Sequence, residues 1–144
     1  MRWVEFEAEA PDLAAAVRAR FAVRKHATMA TLRADGSPRI SGTEVEFAGE
    51  ELVLGSMPGA RKAADLRRDP RLALHSPTVD PPEDSPSDWE GEAKVAGVAV
   101  EVESDGDAHV FHIRLHEVVL TRVRGDKLVI EHWHPGRGVQ QTSR

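Results

Sequence analysis

The chain has 144 residues, 40% hydrophobic and 30% charged, with a net charge of −5, which suits one domain over residues 1–144 with a core that needs no covalent staples. It has no cysteine, which removes disulfides, thiolate metal centres and thiol nucleophiles, and the acid excess argues against nucleic acid as a partner. No apolar run nears the ~20 residues that cross a bilayer, and Met1–Glu7 lacks the apolar core of a secretion signal, so the expectation is a cytoplasmic protein with no membrane contact.

After Pro11, Asp12–Phe21 has the pattern of a helix: Leu13, Val17 and Phe21 recur every four residues among alanines. Thr28–Arg33 is a short strand, and Asp35-Gly36 turns it into a hairpin. The returning strand runs from Arg39 to Phe47, where Thr43, Val45 and Phe47 alternate with Gly42, Glu44 and Glu46. Gly49-Glu50 turns into a strand at Leu52–Leu54, and Gly55–Gly59 breaks the sheet. Arg61–Arg68 is helical up to Pro70, which forces an end. Arg71–His75 is a further strand.

Residues 77–91 hold four prolines and many acids and form a long loop. Lys94–Val102 and Val110–Val123 are strands around a turn at Ser104–Asp107, the second long enough to need a bend or bulge. Leu128–His132 is the last strand, and the polar residues 139–144 form a flexible tail. The sum is a mainly β (α+β) protein with a six- to seven-stranded antiparallel sheet and two or more short helices. Such a sheet closes most simply into a barrel, which removes exposed edges.

Chemistry concentrates in Gly55-Ser56-Met57-Pro58-Gly59-Ala60-Arg61-Lys62. The segment follows a strand and opens a helix, where unpaired N–H groups carry partial positive charge and favour an anion. The Ser56 hydroxyl, the Arg61 guanidinium and the Lys62 ammonium complete a phosphate cradle, and Gly55 and Gly59 admit close approach of a ligand. The plainer reading is a solvated Arg-Lys pair at an ordinary helix start. Two cations in a first turn oppose the helix dipole, however, unless an anion offsets them. Among the other polar groups, His112 and His116 share a strand face, with His109, His132 and His134 nearby in sequence. No carboxylate spacing accompanies them, and they are read as solvated strand histidines with no metal site. Trp3 and Trp89 are read as packing or rim residues.

The run from Gly36-Ser37-Pro38-Arg39 through Leu52–Ala63 to Asp69-Pro70-Arg71-Leu72-Ala73-Leu74 resembles the core of the pyridoxamine 5′-phosphate oxidase-like superfamily, whose fold is a split β-barrel. The resemblance implies a flavoprotein in which Arg61 and Lys62 hold the phosphate of flavin mononucleotide (FMN). It also implies that Arg39, Ile40, Ser41, Gly42 and Thr43 line the ring and ribityl chain, with Gly55, Ser56 and Met57 opposite. A homodimer is implied, with the cofactor at the interface and Trp133 reaching across to it. The activity implied is hydride transfer between the flavin and a small-molecule substrate. A deazaflavin coenzyme is the alternative cofactor, and a non-catalytic flavin- or haem-binding module the alternative role. Two departures count: Glu44 stands where the oxidases commonly carry a phosphate-binding lysine, and Trp133–Gly138 lacks their substrate-gripping segment. A true pyridoxamine 5′-phosphate oxidase is therefore excluded.

Overall fold

The structure, a computed structural model, describes residues 1–144. Two helices, α1 (Trp3–Glu9) and α2 (Pro11–Ala22), precede four strands, β1 (Ala27–Leu32), β2 (Pro38–Thr43), β3 (Val45–Ala48) and β4 (Glu51–Ser56). Helix α3 (Arg61–Arg68) leads to β5 (Arg71–His75), and β6 (Glu92–Val102), β7 (His109–Arg124), β8 (Lys127–His134) and β9 (Gly138–Ser143) complete the chain. All pairings are antiparallel and join one sheet in the order β2-β1-β5-β6-β7-β4-β3, with β8 on β7 and β9 on β8. The architecture is the mainly β, barrel-like one expected from the sequence.

Strand β7 carries the topology. One edge pairs with β6 over nearly its whole length; the other pairs with β4 only at His109–His112 and with β8 only at Val118–Arg124. Between those partners the Leu115 N–H donates to the Met1 carbonyl at 2.7 Å, so the start of the chain fills the gap in the ladder. The expected irregularity of β7 is a bulge: Ala96 faces Glu117 and Gly97 faces Leu115, leaving His116 as the extra residue. A bulge shifts the alternation by one position. Phe111, Ile113 and Leu115 are buried before it, and Val118 and Leu120 after it. His112 and His116 therefore do not continue one regular strand face.

Four elements differ from the sequence reading. The run 39–47 is two strands that part at Glu44, because β2 pairs with β1 while β3 pairs with β4. Strand β4 continues through Gly55 and Ser56, which pair with Val110 and His109. The tail is not free, since β9 pairs with β8 through backbone bonds although all six of its residues are exposed. Helix α1 lies in a stretch too short to show a helical period, and it is set by what it covers. Trp3 and Phe6 are buried, and Phe6 meets Trp133 edge-to-face at 4.7 Å between ring centroids. The loop 77–91 is as expected apart from a single 3-10 turn at Pro86–Asp88.

Close backbone approach to β7 fixes two glycines, Gly91 against the Thr121 carbonyl and Gly97. A Cβ on Gly97 would lie 2.0 Å from the Arg114 carbonyl oxygen across the bulge, whereas one on Gly55 would meet nothing within 4 Å. Gly97→Ala is expected to destabilise the fold by about 3 kcal/mol through overpacking, with Gly55→Ala close to neutral. Urea denaturation of both variants checks this; equal midpoints would remove the close approach as a constraint.

Candidate functional site

The barrel does not zip shut between β2 and β4. Those strands approach without pairing, and a cleft of about 1140 Å³ opens at their seam. Gly42 and Thr43 form one wall and Gly55, Ser56 and Met57 the other, with Lys62 from the first turn of α3 at the rim. A Cβ on Gly42, as on Gly55, would meet no protein atom within 4 Å. Thr43 is 3% exposed and its Oγ1 is buried with no hydrogen-bond partner, which is costly unless something outside the chain satisfies it.

The two cations expected to act together part company here. Lys62 Nζ donates to the Gly42 carbonyl at 2.9 Å and so crosses the seam. Arg61 lines a second hollow of about 400 Å³ with Arg33, Arg39 and Arg68. Successive residues of a helix project about 100° apart, so adjacent positions cannot both face one pocket squarely. No side chain caps α3, and the amides of Arg61 and Lys62 have no backbone acceptor. The start of α3 thus presents open amides between a lysine on one side and arginines on the other.

Beneath α3 lies a buried carboxylate. Asp65, 2% exposed, accepts hydrogen bonds from Thr31 Oγ1 at 2.7 Å, Arg39 Nε at 2.7 Å and Arg68 Nη2 at 2.9 Å. Burial alone would push its pKa up; the donors outweigh this and hold it at about 2. Arg39 is therefore anchored by its Nε, with its terminal nitrogens left for the hollow. On the other face of α3, Arg67 grips Glu101 in a bidentate pair at 2.7 and 2.8 Å.

Of the remaining site residues expected from the sequence, Met57 lines the cleft and is 78% exposed, whereas Ile40, 76% exposed, and Ser41 lie on β2 outside its lining. Trp133 is a correction. It is fully buried in its own chain, with its Nε1 donating to Glu9 Oε2 at 3.0 Å beneath α1. It cannot reach a partner or a ligand without unpacking that helix. The cleft also takes in groups the sequence did not single out: Phe21, Arg24, Lys25 and His26 from the end of α2 and the following linker. Glu44 lies among them, with His26 Nε2 at 3.2 Å and Lys25 Nζ at 4.0 Å. The acid in the family's lysine position thus has a lysine and an imidazole from the linker beside it, which no local pattern announces.

The family model for pyridoxamine 5′-phosphate oxidase matches residues 13–122. The chain belongs to that family. Among solved structures, one similar fold is a pyridoxamine 5′-phosphate oxidase-related, FMN-binding protein from Nostoc punctiforme (TM-score 0.66, 10% identity, covering 93% of this chain and 95% of that one). Another is PhzG from Burkholderia lata in complex with tetrahydrophenazine-1-carboxylic acid (TM-score 0.65, 13% identity, 92% and 87% covered). A third is an F420 reductase (TM-score 0.51, 15% identity, 68% and 91% covered). No curated protein matches the chain in sequence. No helix is long and apolar enough to cross a membrane.

Removing the Asp65 carboxylate leaves Arg39 and Arg68 without their shared acceptor. Asp65→Ala is expected to cost about 2 kcal/mol, below the range for a fully buried pair because both arginines reach solvent. The folded pKa of about 2 lies below an unfolded value near ~4. The contribution is therefore complete above pH ~4 and lost as pH falls from about 4 towards 2. Urea denaturation at pH 7 and pH 2.5 should show the gap between wild type and variant narrowing at the lower pH; a constant gap would refute the assignment.

Proposed function

We propose that this protein is a flavin-dependent oxidoreductase that binds FMN in the seam between β2 and β4, as a homodimer. The observation that carries the reading is the seam itself. Two glycines with open space above them, an unpartnered Thr43 hydroxyl and the open amides of α3 surround one cleft in a chain of net charge −5. A planar ring needs the width that missing side chains provide, and a phosphate needs donors concentrated at one end.

In this reading the phosphate sits at the open start of α3, on the Arg61 and Lys62 amides, with Lys62 beside it from the cleft and Arg61 and Arg39 from the neighbouring hollow, while Ser56 adds a hydroxyl. Ser41, Gly42 and Thr43 line the ring from β2, and Gly55, Ser56 and Met57 from β4. The Gly42 carbonyl faces Lys62, and an N–H points to the same side of a strand as its own carbonyl. The Gly42 amide thus also faces the seam, placed to donate to a ring carbonyl. When bound, the flavin supplies hydride chemistry that no side chain can perform; the chain orients the ring and limits water around it. No residue of the cleft is assigned as catalytic acid or base. The exposed Met57 in the cleft wall and the exposed Ile40 further along β2 support a second copy packing on this side, since burying such side chains is favourable. The missing substrate-gripping segment separates the reaction from pyridoxamine 5′-phosphate oxidation and leaves a different small molecule as substrate.

The absorbance spectrum of the purified protein and titrations with FMN and with the deazaflavin coenzyme test this reading; a colourless protein that takes only the deazaflavin moves the chemistry to that carrier. Gly55→Val should fold with unchanged thermal stability and lose FMN binding, because its side chain occupies the cleft rather than the core. Replacing both Arg61 and Lys62 by glutamine should weaken FMN by tenfold or more, the scale of a lost charge-assisted hydrogen bond. Undiminished affinity in both variants would overturn the assignment.

A further inference from the structure

We infer that the hollow on the arginine side of α3 is an anion site in its own right, taking a second acidic group beyond the cofactor's phosphate. The inference rests on the reading of the cleft as a cofactor site, because it asks what a molecule seated there meets next. The hollow is built by two repeats of different period. Ala64, Asp65 and Arg68 follow Arg61 by three, four and seven residues, which places all four on one face of α3. Thr31 and Arg33, two apart, share a side of the hairpin arm, whose backbone continues past Leu32 through the bond from the Arg33 N–H to the Ser37 carbonyl. Arg39 stands opposite Thr31 in the register. Thr31 and Arg39 both donate to Asp65, so this face of the hairpin lies against that face of the helix. Four guanidiniums therefore surround one hollow of about 400 Å³.

The two acids of the hollow are both committed. Asp65 accepts from Thr31 and Arg39 on one oxygen and from Arg68 on the other. Asp35 accepts the N–H and the hydroxyl of Ser37 and so closes the hairpin turn. Four guanidiniums against two carboxylates leave a positive surplus, in a chain whose net charge is −5. Arg33 and Arg61 pair with no carboxylate, Arg39 spends only its Nε and Arg68 only its Nη2. Arginines on an ordinary solvated face are free to spread. Arg39 and Arg68 are not, because the buried acid beneath fixes them side by side with N–H groups to spare.

One phosphate does not answer all four. Held on the first-turn amides of α3, it meets Arg61 and the free end of Arg39. Arg68 comes seven residues after Arg61, about 10 Å along the helix axis, and Arg33 reaches the hollow from the hairpin. These two define the place of a second oxyanion, a phosphate or a pair of carboxylates, since a guanidinium fork takes such oxygens two at a time. That chemistry has two sources: a cofactor whose chain carries on past its phosphate to another acidic group, or a separate small polyanion.

The probe is inorganic pyrophosphate, titrated calorimetrically into FMN-loaded protein at about 0.15 M salt, where a screening length of ~8 Å suppresses diffuse attraction. One site per chain is expected. Arg33→Gln should weaken it by about tenfold, the scale of a lost charge-assisted hydrogen bond, and leave FMN affinity nearly unchanged. Ala64→Glu puts a carboxylate among the arginines, three residues after Arg61 and four before Arg68, where such pairs support a helix. It should melt no lower than wild type and bind no pyrophosphate. FAD, whose chain carries a second phosphate, separates the two sources. Pyrophosphate displaced by FAD assigns the site to the cofactor's continuation; pyrophosphate bound alongside FAD assigns it to a separate anion. No saturable binding, undiminished binding in either variant, or mutual exclusion of pyrophosphate and FMN would overturn the second site. If wild type binds no FMN, the cofactor reading fails, and the same titrations on the unliganded protein and its two variants decide the hollow.

Discussion

An antiparallel strand has two edges, and the whole molecule follows from how β7 divides one of its own. Along that edge β4 takes the first few residues and β8 the last seven, and neither can extend without displacing the other. The barrel is split there. The strands that hang from β4 and those that hang from β1 and β2 therefore belong to opposite ends of one ladder. They come round to face each other without a register to share, and the unpaired seam between β2 and β4 is the consequence. What looks like a binding cleft cut into a barrel is better described as the place where the ladder runs out of partners.

Electrostatics then gives the seam its character. Helix α3 is crowded with cations and has only one acid, Asp65, which is turned inward to hold Arg39 and Arg68 in place. A carboxylate in that position spaces the guanidiniums and keeps them from spreading into solvent. Arg67 is tied in the same manner to Glu101 on the opposite side. Of the cations on α3, only Arg61 and Lys62 have no carboxylate partner, and they stand at its uncapped beginning. The helix keeps its structural charges neutralised and leaves the unneutralised ones next to the cleft.

Much of this is legible in the sequence, for identifiable reasons. The limits of α3 can be read to the residue because Pro70 ends the helix and glycine opens the loop before it. Gly55 and Ser56 stand out because they adjoin an Arg-Lys pair where a strand hands over to a helix, whereas the β2 residues have no local signature and are reached only through the family resemblance. The division at Glu44 is not, since the alternation of Thr43, Val45 and Phe47 continues across it; only the change of partner strand shows the break. Strand β9 escapes because its stability lies in backbone bonds, which polar side chains neither reveal nor forbid. Trp133 misleads for the opposite reason. An indole near the end of a chain suits a ligand platform or a core equally well, and the choice was made by Phe6 and Glu9, more than a hundred residues away. The Arg67–Glu101 pair has no local signature at all, as its members come from α3 and β6.

The packing of α1 on Trp133 has a bearing on how the molecule comes into being. Trp3 and Phe6 are made more than a hundred residues before Trp133, so during synthesis they wait for the indole that completes their packing. Contacts of such long sequence separation form slowly, and until they do these aromatic faces are open to any apolar surface nearby. The aromatic cluster is thus covered only once Trp133 has been made and β8 has joined the sheet.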